Sequence, residues 1–226
     1  MIWQDTGFLI SKNKYNENSS ISEFYTENHG KVTGFIFGST SKKIKNYLLV
    51  GNKFYINFNS KHDGKLGYFK VEIDKINTPI FLDNKKKLYC IIYSMHLIKI
   101  LTVDNQENKN IFYLIDNLFK ILNQKSWLIK YLFWELNIYK EIGYEIDFKD
   151  YVKDVIYKGD KKFIVESSNK LIPNFLIDKN ELTNNNNDIF NAFKIVGDFL
   201  DKTILKPNNK NYPLSRIEFV NLIKRF

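Results

Sequence analysis

Along the first eighty residues the apolar positions recur every second residue. Phe54, Ile56 and Phe58 alternate with Tyr55, Asn57 and Asn59, the two-residue period of a half-buried strand. Phe8-Leu9-Ile10 reads as an opening strand and residues 20–25 as a second. The segment Glu27-Asn28-His29-Gly30 is a turn, with Gly30 free to take a positive φ. Residues 31–37 form a third strand, and residues 66–76 a fifth after the hairpin turn His62-Asp63-Gly64-Lys65. A longer irregular link separates the third strand from the fourth.

After Pro79 the period changes. Leu88, Ile91, Ile92, Met95, Leu97, Ile98 and Leu101 predict a largely buried helix, and Ile111, Leu114, Ile115, Leu118, Phe119 and Leu122 a second. A third helix runs from a Ser126 cap to Ile142 and stops at Gly143. Val155–Tyr157 and Phe163–Val165 flank Lys158-Gly159-Asp160-Lys161 as a hairpin. Asn184–Asn187 is a polar break. Residues 189–205 are helical up to Pro207, and Ser215 caps a last helix with Ile217, Val220, Leu222 and Ile223 on its apolar side. The expected fold class is α+β: a five-stranded barrel of the OB type over residues 1–79, then a helical domain over 80–226 with a hairpin insertion at about 150–172.

Composition narrows the function. The single cysteine, Cys90, excludes an intramolecular disulfide and a four-cysteine zinc site. The N-terminus has neither a basic nor an apolar leader segment, and the most apolar run, residues 88–103, is interrupted by Tyr89, Tyr93, Ser94, His96 and Lys99. No membrane partner is expected and the expected location is the cytoplasm. His29, His62 and His96 lie in separate elements, the first two reading as turn residues and the third as a helix residue. No glycine loop is followed by a phosphate-binding lysine and no serine elbow is present. Glu141, Glu145, Asp147 and Asp150 read as solvated surface. The chain is therefore expected to be no enzyme and to need no cofactor.

The charge is uneven. From Lys31 to Lys70 there are eight lysines against one acid, Asp63, so most of the net +9 falls in this β-rich window. Lys31, Lys42, Lys43, Lys45, Lys53 and Lys65 are the candidate phosphate contacts. If Val32 and Ile36 face the core, Phe35 and Phe37 point outward. Two readings stand for these rings: stacking of bases or packing on the helical domain. Cations interleaved with aromatics suit single-stranded nucleic acid.

Five segments carry a family resemblance. Met1–Ile10 resembles the opening of the RecO family of recombination mediators. Phe24–Lys31 resembles its F-T-E-x-x-G-(K/R) turn, and Gly38–Lys43 its G-x-x-S-(K/R) loop. Trp134–Phe148 is similar to its helix ending in Gly-aromatic, and Tyr212–Arg216 to its P-L-x-S-R segment. The resemblance implies an OB-fold followed by helices. It further implies binding of single- and double-stranded DNA, annealing of complementary strands without ATP, and loading of RecA on strands coated by the single-strand binding protein SSB. The implied partners are RecR and the SSB C-terminal tail directly, and RecA indirectly. Many relatives carry a four-cysteine zinc site in the insertion; here Tyr151 stands near its first ligand and no cysteine follows. Relatives often place arginine before the aromatic-Glu pair in the helix associated with the SSB tail. Here those positions are Leu132 and Phe133, and Lys130 is the nearby cation, so Lys130 and Phe133 are the candidate tail-binding residues. The competing expectations are an RNA-binding OB protein, a protein-interaction scaffold and, with no motif to support it, a nuclease.

Overall fold

Alternating burial requires each strand to have a wet and a dry side, and three of the five barrel strands follow it directly. The computed structural model describes residues 1–61, 66–157, 160–165, 171–178 and 185–224. Its strands are β1 (Ile2–Lys14), β2 (Ser19–Thr26), β3 (Gly30–Phe37), β4 (Lys53–Asn59) and β5 (Gly67–Lys75). They close into a barrel in the order β1-β2-β3-β5-β4, the arrangement of an OB-fold. β1 is far longer than Phe8–Ile10. Its first half pairs with β4 and its second half with β2, with an irregularity between Leu9 and Ser11. Its alternation is hidden because it is buried on both sides at Phe8, Leu9 and Ile10. Leu9 joins the barrel core of Phe24, Val32, Ile36, Leu48, Phe54, Ile56, Phe58 and Phe69, while Phe8 lies outside it, stacked on Phe119 and tilted against Phe112.

Closure depends on β3 and β5 pairing in parallel through Gly34↔Gly67 and Phe35↔Tyr68. A Cβ at Gly67 would lie 2.4 Å from the Phe58 ring, and one at Gly34 2.8 Å from the Phe69 ring, so the seam closes only over bare backbone. The turn His62–Lys65, including the candidate Lys65, lies outside the described residues. The link after β3 is not wholly irregular: Lys42–Lys45 form one helical turn, α1.

The chain divides into two compact units. The first comprises Met1–Lys120 with Pro213–Phe219. Besides the barrel it holds α2 (Lys85–Leu101) and most of α3 (Lys109–Leu122). The second comprises Ile121–Tyr212 with Val220–Phe226. There α4 (Trp127–Glu141) ends where Gly143, at φ +90°, lets its N–H reach Lys140 O at 2.9 Å and Tyr144 N–H reach Tyr139 O at 2.8 Å, a paired C-terminal cap. Ser126 stands at the other end of α4 without a side-chain capping bond. The insertion is a sheet of β6 (Val152–Tyr157), β7 (Asp160–Val165) and β8 (Leu171–Ile172). Asp160 and Lys161 belong to a strand rather than the turn, and residues 158–159 lie outside the described residues. After α5 (Asn174–Ile177), α6 (Asn186–Phe199) begins within the asparagine run, because the Asn185 side chain accepts from Asn187 N–H and caps it. Pro207 does not halt the chain: a π-helical turn, Leu200–Leu205, passes into a 3-10 turn at Lys206–Asn208, where proline fits in the first residues.

The last helix, α7 (Leu214–Lys224), buries Arg216, Phe219 and Ile223 and leaves Ile217 exposed. Ser215 is not its cap but a buried residue whose Oγ lies 3.0 Å from His96 Nδ1. Among the described residues, no helix is long and apolar enough to cross a membrane.

Candidate nucleic-acid interface

β3 sends Val32, Gly34 and Ile36 into the barrel and turns the intervening side chains outward. Phe37 is 63% exposed, which removes the packing alternative for this ring. Phe35 and Phe37 lie 6.1 Å apart with ring planes 16° from parallel. Tyr15, from the β1–β2 link, sets its edge against Phe35 at 5.0 Å. Tyr68, opposite Phe35 in the β3–β5 seam, approaches Phe37 at 6.0 Å. The outer face therefore carries a row of four rings. Two of them, Tyr68 by strand register and Tyr15 by the path of the β1–β2 link, arrive from positions that spacing does not reveal.

Phe37 leads through Gly38 into the lysine segment. Ile44 packs against the barrel core and turns Lys42, Lys43 and Lys45 into water. Two side chains pin this link to β1 and the β1–β2 turn. Thr40 Oγ1 donates to Glu17 O at 3.1 Å and Asn18 Oδ1 at 2.9 Å, and Lys12 Nζ donates to Leu48 O at 2.8 Å. Burial, together with the Lys45 charge, pulls the Lys12 ammonium below the ordinary lysine value. Lys12 is thus a further cation at this place, 36 residues from its bonding partner in sequence.

Lys31 and Lys53 are not brought to this cluster. Lys31 Nζ donates to the α2 carbonyls of Lys99 and Thr102 at 2.9 and 2.7 Å and pairs with Asp104 at 3.1 Å. A cation at a helix C-terminus complements the carbonyl end of the dipole, so this lysine closes α2. Lys53 lies 3.5 Å from Asp74 and over the Phe8 and Phe112 rings. The acid-poor window is a property of the sequence interval rather than of the sheet: pairing sets Glu72 opposite Tyr55 and brings Asp74 to Lys53.

His29 is more than a turn residue. Its Nδ1 is 2.8 Å from Asp5 Oδ2, and its ring stacks on Trp3 at 4.0 Å. Burial pushes the Asp5 carboxyl up, but bonds from His29, the Asn28 and Thr6 N–H groups and the Asn28 amide outweigh it and hold the carboxyl below its ordinary value. Among the described residues no three His, Cys, Asp or Glu side chains converge to hold a metal ion.

In the second unit a cavity of about 430 Å³ is lined by Phe133, Leu136, Leu176 and Ile177, by Lys140 and Lys149, and by the acids Glu145, Asp147 and Asp178. Phe133 therefore sits in a concave site, whereas Lys130 is exposed, bonds Gln124 Oε1 and does not line the cavity. Lys140, paired with Glu145 at 2.6 Å, and Lys149 are the cations at its rim.

Residues 1–75 match the family model described as "Recombination protein O N terminal", and residues 83–153 match "Recombination protein O C terminal". The chain belongs to the RecO family. A DNA repair protein RecO of Rhodopseudomonas palustris (strain TIE-1) is 23% identical over 245 residues, covering 100% of this chain and 97% of that protein. The RecO protein of Ehrlichia chaffeensis is 30% identical over 149 residues, covering 65% of this chain and 60% of its own length. That of Rickettsia bellii (strain OSU 85-389) is 32% identical over 145 residues, covering 64% and 60%. RecO is a recombination and DNA repair family rather than an enzyme family. The zinc site of many relatives has no counterpart here, because Cys90 is the sole cysteine and is buried in α2.

Proposed function

We propose that this RecO-family protein binds single- and double-stranded DNA, anneals complementary strands without ATP and helps load RecA onto SSB-coated single strands. The nucleic-acid-binding domain in this reading is the barrel of residues 1–79, with residues 80–226 serving protein partners. The observation that carries it is the row of Tyr15, Phe35, Phe37 and Tyr68, with Tyr15 and Phe37 exposed and the other two half-buried, followed along the chain by the exposed lysines of the turn Lys42–Lys45. Flat rings accept unstacked bases, and ammonium groups neutralise phosphates and release counterions. Two strands held near one basic surface repel each other less and pair faster. The DNA-contacting set is Lys42, Lys43, Lys45, Phe35 and Phe37, joined by Lys12, Tyr15 and Tyr68. Lys31 and Lys53 serve the fold.

The cavity at Phe133 is the seat proposed for the SSB tail: Phe133, Leu136, Leu176 and Ile177 offer apolar contact to an aromatic residue, and Lys140 and Lys149 are its cations, set among the cavity's own acids Glu145, Asp147 and Asp178. The exposed Lys140–Glu145 pair is cheap to exchange for a partner's carboxylate. RecR is the remaining expected partner. The deciding experiment is annealing of SSB-coated complementary strands without nucleotide. Acceleration by the protein supports the reading, and no acceleration, with no binding to either strand at low salt, overturns it.

A further inference from the structure

We propose that the aromatic row makes this surface distinguish single strands from duplex, so that a strand loosens from the protein as it pairs. The inference rests on the DNA-annealing reading and assigns Tyr15, Phe37 and Tyr68 as its specificity-determining residues.

The surface offers two kinds of contact with different tolerance. The ammonium groups of Lys42, Lys43 and Lys45 stand on an exposed turn without an acid in it. They reach phosphates, which single strands and duplexes both present. The rings offer flat faces. Phe37 and Tyr15 are 63% and 59% exposed, far more than a ring that serves the core. The two phenylalanine planes lie within 16° of each other. Tyr15 holds Phe35 from one side, and Tyr68 meets Phe37 from the strand across the seam. The row is therefore ordered before any ligand arrives.

A base can lie on such a ring only when it is free of its own neighbours. In a duplex each base is enclosed between two others and bonded to its complement, and only backbone and groove edges face the protein. The lysine contribution is thus common to both forms of DNA, whereas the ring contribution belongs to single strands alone. When a complementary strand arrives, each base that pairs must leave its ring. The product is held by the lysines only, and the surface is vacated for the next strand without a nucleotide-driven step.

The test compares a single strand and a duplex of equal length at one salt concentration, using the full chain and its Phe37→Ala variant, with thermal melts to establish that both are folded. The expected result is a roughly tenfold weaker hold on the single strand, with duplex binding unchanged and single-strand binding restored in Phe37→Trp. Preformed duplex added to an annealing reaction should slow the Phe37→Ala protein more than the unsubstituted one. Tyr15→Ala should repeat the pattern should Phe37→Ala fail to fold. Equal losses on both forms of DNA, or no loss on either, overturn the discrimination while leaving the annealing reading standing. Absence of binding by the unsubstituted protein to both forms overturns the annealing reading itself.

Discussion

Asp5 shows how much of this molecule rests on single side chains that carry no motif. Its carboxylate accepts from Thr6 N–H at 2.8 Å, Asn28 N–H at 2.9 Å, the Asn28 side chain at 2.9 Å and His29 Nδ1 at 2.8 Å. It thereby ties β1 to the β2–β3 turn. Because the folded carboxyl is held below its ordinary value of 3.8, its stabilisation is complete above the unfolded value and is lost as pH falls through the folded one. Asp5→Asn is expected to cost on the order of 1–3 kcal/mol at pH 7, with the deficit shrinking as the pH falls below the ordinary value of 3.8. Urea melts of both proteins across that range measure it. His96 titrates in the same direction but higher up. Burial and Lys99 lower its value from 6.5, against Glu23, so its contribution fades as the medium is acidified below 6.5. None of this was legible from spacing: Asp5 is one acid in ten residues, and apart from the adjacent Thr6 N–H its donors lie more than twenty positions away.

At the scale of elements, the sequence revealed period but not partnership. β3, β4 and β5 could be read from alternation because each has one dry side. The length of β1 could not, because Phe8 and Leu9 are buried on opposite sides of it, and β2 likewise buries Phe24 and Tyr25 in succession. Likewise eight lysines could be counted along the chain, but which of them face water depends on α2, whose end Lys31 closes, and on β5, which presents Asp74 to Lys53. The outward direction of Phe35 and Phe37 was legible; their neighbours Tyr15 and Tyr68 became visible only with the register. Replacing Lys42, Lys43 and Lys45 together with glutamine should lower the slope of log affinity for single strands against log salt by about 2, at about 0.7 per phosphate contact. Lys31→Gln should leave that slope unchanged and instead lower the melting temperature, since its effect is on the end of α2. A salt titration beside a thermal melt separates the two classes.

For the whole molecule, the proposed DNA-binding surface and the folding unit have different extents. The row of rings and the lysine turn lie within residues 1–79, yet Phe8 is covered by Phe112 and Phe119. Gly30 leaves so little room that a Cβ there would fall 1.9 Å from Gln106 O. A chain ending at residue 79 would bare that apolar face of the barrel. It is expected to melt without a cooperative transition and to aggregate, whereas the full chain melts cooperatively; circular dichroism with light scattering checks both. The first unit is also discontinuous. Arg216 is buried in it, with Nε donating to Tyr93 OH at 3.1 Å, and Phe219 stacks on Tyr93. During synthesis, then, Tyr93 in α2 goes without its cover from Arg216 and Phe219 until some ninety intervening residues have been made. A nascent-chain pause or a chaperone acting before residue 213 would meet a first unit whose α2 is still partly bare.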